Sequence, residues 1–157
     1  MKVKLFLTLI TAPLILIFSQ NKITKEDIFL NRTFSQEYVN GLKPMNDGHH
    51  YTTLNYIDTL SIDKWSYEKL EKLETILKSS DINNIKFNSY KFNKNETLVL
   101  LETETDNIYR YSKESIFYLY NLKTKELKKI FDKKIRLAEF SPNSKHISYV
   151  YRNNIYI

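Results

Sequence analysis

An all-β fold is predicted by three observations on this 157-residue sequence. Aromatic side chains make up 14% of it, with twelve Tyr and nine Phe, and such residues suit a pleated, half-buried surface better than a helix. From Ile85 onward, short apolar runs alternate with clusters of turn-forming residues. One turn with its flanking strands also recurs: "YKFNKNETLVLLET" aligns with "AEFSPNSKHISYVY", Phe92 on Phe140 and Asn95 on Asn143, 48 residues apart.

The elements follow in chain order. "MKVK", the apolar run from Leu5 to Phe18 and the polar "SQ" have the order of a secretory signal, expected to be cleaved near Gln20. Residues 1–20 are therefore expected to be a signal peptide, and residues 21–157 a periplasmic or secreted domain, of bacterial type by the bias toward Lys, Asn and Ile. The apolar run is short against the roughly 20 residues that a bilayer span needs, so a membrane anchor is the less favoured reading. "TKEDIFL" predicts a short helix, because Thr24 and Asp27 can cap it reciprocally. "SYEKLEKLETILKSS" spaces Leu70, Leu73 and Leu77 like an amphipathic helix, while the repeat register asks for a strand there; a strand from about Glu71 is favoured.

"IKFNSYKF", "TLVLLETET", "SIFYLYNL" and "ELKKIFD" then read as four antiparallel strands. They are joined by a turn at Asn93 to Glu96, a loop from Asp106 to Lys113 and a turn at Lys123 to Lys125. "IRLAEFS", "HISYVYR" and "NIYI" restart the pattern. Upstream, "GLKPMNDGHHYTTL" reads as a further copy, with Leu42 in the Phe place 50 residues before Phe92 and an extra residue or two in the turn. Asn or Asp in each turn suits a left-handed or Asx conformation, and Pro44 and Pro142 preset the bend.

Four short strands repeating near this length are the signature of a β-propeller blade. The chain holds about two and a half to three such blades, whereas a closed ring needs at least about four. The expectation is a partial propeller: the N-terminal part of something longer, or an open fragment stabilised by a partner.

The composition excludes several chemistries. With only Gly41 and Gly48, there is no Gly-rich phosphate loop and no G-x-S-x-G frame for a serine nucleophile. Cysteine is absent, which removes thiolate metal sites and thiol catalysis; no cofactor and no metal are expected. "KTKELKKIFDKKIR", with seven Lys or Arg in fourteen residues, could hold phosphates. Lys alternating with apolar residues reads instead as an exposed strand face that resists edge pairing, and no nucleic-acid partner is expected. His49, His50 and His146 read as structural or exposed histidines, and no catalytic residue is assigned.

"EDIFLNRTFSQEYVNGLKPMNDGHHYTTLN", "SYKFNKNETLVLLETETDNIYRYSKESIFYLYNL" and "FSPNSKHISYVYRNNIYI" resemble, in order and spacing, the N-terminal propeller of the dipeptidyl peptidase IV family of prolyl oligopeptidase-type serine peptidases. The resemblance runs from about Ile23 to Ile157 and weakens from Asp58 to Asn84. It implies an eight-bladed propeller that caps an α/β-hydrolase domain, and release of N-terminal Xaa-Pro dipeptides, or of tripeptides in a sister group. It implies that an arginine in the loop between the second and third strands of an early blade contacts a substrate carbonyl. "IYRYSKESIFYLYNL" matches that loop, so Arg110 is the implied substrate-binding residue, with Tyr109 and Tyr111 placed to stack against it. Without the resemblance, Arg110 reads as a surface arginine paired with Glu102 or Glu104. The family's paired glutamates, and its Ser, Asp and His, would lie beyond Ile157.

Two functions are thus expected. In the first, the chain gates and positions a proline-containing peptide for a serine exopeptidase whose remaining blades and hydrolase domain lie elsewhere, the whole forming a homodimer as family members do; alone it is expected to be inactive. In the second, it is a non-catalytic open-propeller binding or scaffold module, or an inactive truncated product.

Overall fold

The computed structural model describes residues 22–36 and 38–157. The expected signal peptide lies outside the described residues. The chain divides into two units, Met1–Tyr38 and Val39–Ile157. In the first, α1 (Lys25–Phe29) has the capping box expected from its sequence: the Asp27 amide donates to Thr24 Oγ1 at 3.1 Å, and the Thr24 amide donates to Asp27 Oδ2 at 2.9 Å.

The second unit is three antiparallel meanders. β1 (Lys43–Pro44), β2 (His50–Asn55), β3 (Ser61–Ser66) and β4 (Lys72–Lys78) form the first sheet, in that order. β5 (Phe87–Phe92), β6 (Leu98–Asn107), β7 (Lys113–Asn121) and β8 (Leu127–Lys129) form the second. β9 (Arg136–Phe140), β10 (Ile147–Tyr151) and β11 (Asn154–Tyr156) form the third. The strand preferred over a helix at Glu71 is β4, so tertiary pairing overrides the helical spacing of its leucines.

One turn opens every sheet. The amides of Met45, Asn93 and Ser141 donate to the carbonyls of His50, Leu98 and His146 at 2.9, 3.0 and 2.9 Å. Gly48, Glu96 and Ser144 close the three turns with φ of 70°, 53° and 58°. The recurrence is therefore 48 residues at both intervals, and this corrects the alignment read from the sequence. Pro44, not Leu42, occupies the place of Phe92 and Phe140, and the first turn has no extra residue. Polar side chains stand in as acceptors for the turn amides: Asp47 takes those of His49 and His50, Asn93 those of Thr97 and Leu98, and Asn143 that of Lys145. The His50 ring, also on Asp47, and the amides beside it hold the Asp47 carboxyl down at about 2.

Strand alternation divides β6 between two cores. Val99 and Leu101 face the first sheet and pack with Leu54, Ile62, Leu77 and Tyr90. Leu100 faces the third sheet and packs with Phe117, Ile135 and Ala138. The second sheet thus buries one face against each neighbour. Buried polar groups stitch the same contacts: Tyr90 donates to the Gly41 carbonyl at 2.8 Å and meets Thr52 Oγ1 at 2.6 Å. Burial pushes the Tyr90 phenol up to about 12.

Asp63 on β3 is the buried charge of the first sheet. Its carboxylate accepts from Lys72 at 2.8 Å, Thr75 at 2.8 Å, Ser61 at 3.1 Å and Asn55 at 3.2 Å. Burial alone pushes this carboxyl up, but the four donors together outweigh it and hold it below the ordinary carboxylate value.

Two outcomes are expected. Ser144→Gly should stabilise the fold by about 0.5–1 kcal/mol in urea unfolding, since it relieves the left-handed backbone and deletes a buried hydroxyl that has no partner. Gly41→Ala should cost about 2 kcal/mol, because its Cβ would stand 2.7 Å from Leu54 Cγ at a φ of +61°. The depressed Asp63 carboxyl contributes stability that is complete above the unfolded value of about 3.9 and is lost as pH falls through the lower folded value. Asp63→Asn should therefore flatten the acid limb of the stability profile measured by circular dichroism, at a lower neutral plateau.

Candidate functional site

The hairpin of β6 and β7 is the feature that breaks the repeat. In the first sheet 22 residues separate the left-handed residues Gly48 and Leu70, and in the second 29 separate their counterparts Glu96 and Lys125. The counterparts are fixed by hydrogen bonds: Leu70 donates to Ser66, and Lys125 to Asn121, at 3.0 and 2.8 Å. The second sheet thus carries a central hairpin extended by seven residues relative to the first. Its tip is a turn in which Ser112 donates to the Tyr109 carbonyl at 3.3 Å, and Ile108 donates to the Ser112 carbonyl at 2.8 Å. Arg110 and Tyr111 are the two central residues of that turn.

Arg110 is exposed, and its guanidinium carbon lies 5.3 Å from the centroid of the Tyr111 ring, within cation–π range. Tyr111 is therefore the stacking partner expected from the sequence, and Tyr109 stands 77% exposed beside it. The alternative pairing of Arg110 with Glu102 or Glu104 does not occur. Glu102 is committed to Lys113, and Glu104 sits at a bulge.

That bulge and Glu102 aim the tip. Glu104 and Thr105 on β6 stand opposite the single residue Ser115 on β7, and Glu104 has a φ of 48°. The inserted residue increases the local twist, so the outer half of the hairpin leaves the direction of the sheet. Below it, the buried Glu102 carboxylate accepts from Lys113 Nζ at 2.8 Å and Ser115 Oγ at 2.8 Å. The only hydroxyl proton of Ser115 is thereby used, so Thr105 donates to Ser115 at 2.8 Å and the Asn88 amide donates to Thr105 at 2.9 Å. This relay ties β5, β6 and β7 together across the bulge. Sequence reading named Glu102 only as an alternative partner of Arg110 and did not single out Lys113 or Ser115; a carboxylate within an apolar run, "LVLLETE", is the signal that could have marked Glu102 as buried.

A cleft of about 490 Å³ opens beneath the tip, between the second and third sheets. Tyr111, Glu102 and Lys113 line one wall, and Arg136, Glu139 and Asn153 the other. Lys91 of β5 pairs with Glu139 across it. His49 and His50 lie at the first turn and His146 precedes β10, so the three histidines are not brought together here. Among the described residues, no group of three or more His, Cys, Asp or Glu side chains is arranged to hold a metal ion.

Comparison with known proteins places this geometry. Residues 93–157, from the first turn of the second sheet onward, match the model of the dipeptidyl peptidase IV (DPP IV) N-terminal region. Prolyl endopeptidase FAP of Mus musculus is 26% identical over 106 residues, 65% of this chain and 14% of that protein; the Homo sapiens protein is 28% identical over 85 residues, 53% of this chain and 11% of that protein. The chain therefore spans about one seventh or less of the relatives it matches. The crystal structure of Porphyromonas gingivalis dipeptidyl peptidase 4 superposes with a TM-score of 0.69 at 23% identity, over 87% of this chain and 20% of that one. This likeness is one of fold, and it covers more of the chain than residues 93–157. The three meanders are blades of a partial β-propeller, and the extended hairpin bearing Arg110 belongs to the second.

The relay makes its own test. Glu102→Ala should cost about 1–3 kcal/mol in urea unfolding, because it leaves buried Ser115 without an acceptor. Lys113→Ala should cost about 1 kcal/mol or less, since its ammonium is half exposed.

Proposed function

We propose that this chain is the leading propeller segment of a DPP IV-like serine exopeptidase, exported to the periplasm or the exterior of a bacterium. In this reading it gates and positions a proline-containing peptide, while acyl transfer belongs to a hydrolase domain outside these residues. The observation that carries the reading is the extended hairpin of the second blade, which lies within the part that matches the DPP IV N-terminal region and presents Arg110 at its tip. A guanidinium offers five fixed donors and keeps its charge at any working pH, which suits it to hold a backbone carbonyl. Among the described residues Arg110 has no carboxylate partner, and it is exposed at the tip. Tyr111 restricts its rotamers and lowers the entropy lost when a peptide is gripped.

The arrangement has a division of labour. Arg110 makes the contact, Tyr111 pre-orders it, and the Glu102 relay with the bulge at Glu104 holds the hairpin at its angle. Binding energy gathered at a peptide carbonyl, away from the scissile bond, is what orients a substrate for a nucleophile on another domain. Dipeptide release follows if the peptide amino terminus is held one residue further on, by groups outside this chain.

The test is titration of the 157-residue chain with amidated Ala-Pro-Gln-Ala, followed by calorimetry. Arg110→Ala is expected to weaken binding about ten- to a hundredfold, the loss of one charged hydrogen bond, and to leave the urea midpoint unchanged. Equal affinity of the variant and the parent, or no binding by either, would overturn the assignment.

A further inference from the structure

The cleft beneath the hairpin tip has an uneven charge balance. Three cations line it, Lys91, Lys113 and Arg136, against two carboxylates, Glu102 and Glu139. Lys91 is paired with Glu139, and Lys113 with Glu102. Arg136 is left with a neutral partner: its Nη2 donates to Asn153 Oδ1 at 2.7 Å. The geometry of that contact is built in. Tyr151 pairs with Asn154, so Arg152 and Asn153 form a two-residue hairpin turn, and both have positive φ, 48° and 63°, as a type I′ turn requires. Asn153 therefore orients the guanidinium without neutralising it, and uses one of its five donors.

A structural arginine on a sheet edge is normally satisfied by a carboxylate or by open solvent. Arg136 has neither in full. It is partly buried at the start of β9, in the wall of the cleft, and the nearest acid on its own strand, Glu139, is already spent on Lys91. Partial removal from water strengthens its attraction for an anion over that of a fully exposed charge. The remaining N–H groups form a planar fork, the shape that meets a carboxylate at both oxygens. The cleft volume is in the range of small-ligand sites, large enough for a side chain or a chain terminus.

We propose that Arg136 is a carboxylate-binding residue, and that the cleft selects peptides bearing a carboxylate a short distance along from the residue held by Arg110. The proposal rests on the reading that the hairpin tip binds peptide, and it adds a specificity that this reading does not contain. The carboxylate is either an acidic side chain or the free C-terminus of a short peptide. Arg136 takes no part in bond making; it sets which peptides are held.

Three peptides separate the sources: amidated Ala-Pro-Glu-Ala, Ala-Pro-Gln-Ala with a free C-terminus, and amidated Ala-Pro-Gln-Ala as the uncharged reference. Each is titrated by calorimetry into the 157-residue chain and into its Arg136→Gln and Arg136→Lys variants. At least one carboxylate peptide is expected to bind about tenfold more tightly than the reference, and which one it is identifies the source. Arg136→Gln should abolish that preference while leaving the reference affinity unchanged, and Arg136→Lys, which keeps the charge but loses the fork, should retain part of it. Three equal affinities in the parent chain, or a preference that survives Arg136→Gln, would overturn the role of Arg136 and leave the Arg110 reading standing. If the reference peptide does not bind at all, both fall together.

Discussion

The left-handed residue that closes the first turn of each blade is the constraint on which the rest of the structure depends. Gly48, Glu96 and Ser144 sit at the same point of three successive turns. In two of the three the position is filled by a residue with a Cβ, at a conformational cost of about 1–2 kcal/mol each. That cost is met locally, by Asx-type acceptors on the turn amides and by the bond from the Asn46 amide to Glu96 Oε1 at 2.7 Å, which joins the turns of the first two blades. A slip of one residue there would exchange the two faces of the following strand. Val99 and Leu101 would then point away from the first blade, and Glu102 would enter an apolar core.

Because the register is held, the second strand of the middle blade serves two neighbours and carries the hairpin arm at once. Its inner part is all packing. Its outer part carries Glu102, the bulge and the hairpin tip, where polar groups replace apolar ones and the strand leaves the sheet. The seven extra residues relative to the first blade therefore add a projecting arm without disturbing the blade beneath it. Loop closure makes such insertions cheap at a hairpin end, since the entropy cost grows only slowly with length. The same end of the blade opens onto the cleft with Arg136, so Tyr111 and Ser112 of the hairpin tip and the half-buried guanidinium of the next blade line a common space.

Much of the fold was legible in the sequence. The 48-residue recurrence, the strands from Ile85 onward, the capping pair Thr24 and Asp27, and the strand at Glu71 all stand as expected. The error at Leu42 had a physical origin: the first copy has Pro44 where the others have Phe, and aligning aromatic with apolar residues moved the register by two. Arg110 was named through family resemblance, and Tyr111, which stacks on it, by adjacency. The joint role of Glu102, Lys113 and Ser115 was not legible, because it depends on a pairing that sets two donors of β7 on one carboxylate of β6 beside a bulge. Arg136 was hidden for a related reason. It lay in a lysine-rich run that read as a solvated face, and only the ion pairs of its neighbours show that its charge is the one left over.

The central claim is that the tip of the extended hairpin is the surface that meets peptide. The most direct measurement is nuclear magnetic resonance of the isotope-labelled chain, following backbone amides and the arginine Nε–H groups while an amidated Ala-Pro-Gln-Ala peptide is added. The account expects the largest shifts at Arg110 Nε and at the amides of Ile108 to Ser112, with smaller ones along the cleft wall at Arg136 and Asn153. Shifts confined to β11 or to the lysine-rich strand β8, with the hairpin tip unmoved, would contradict it.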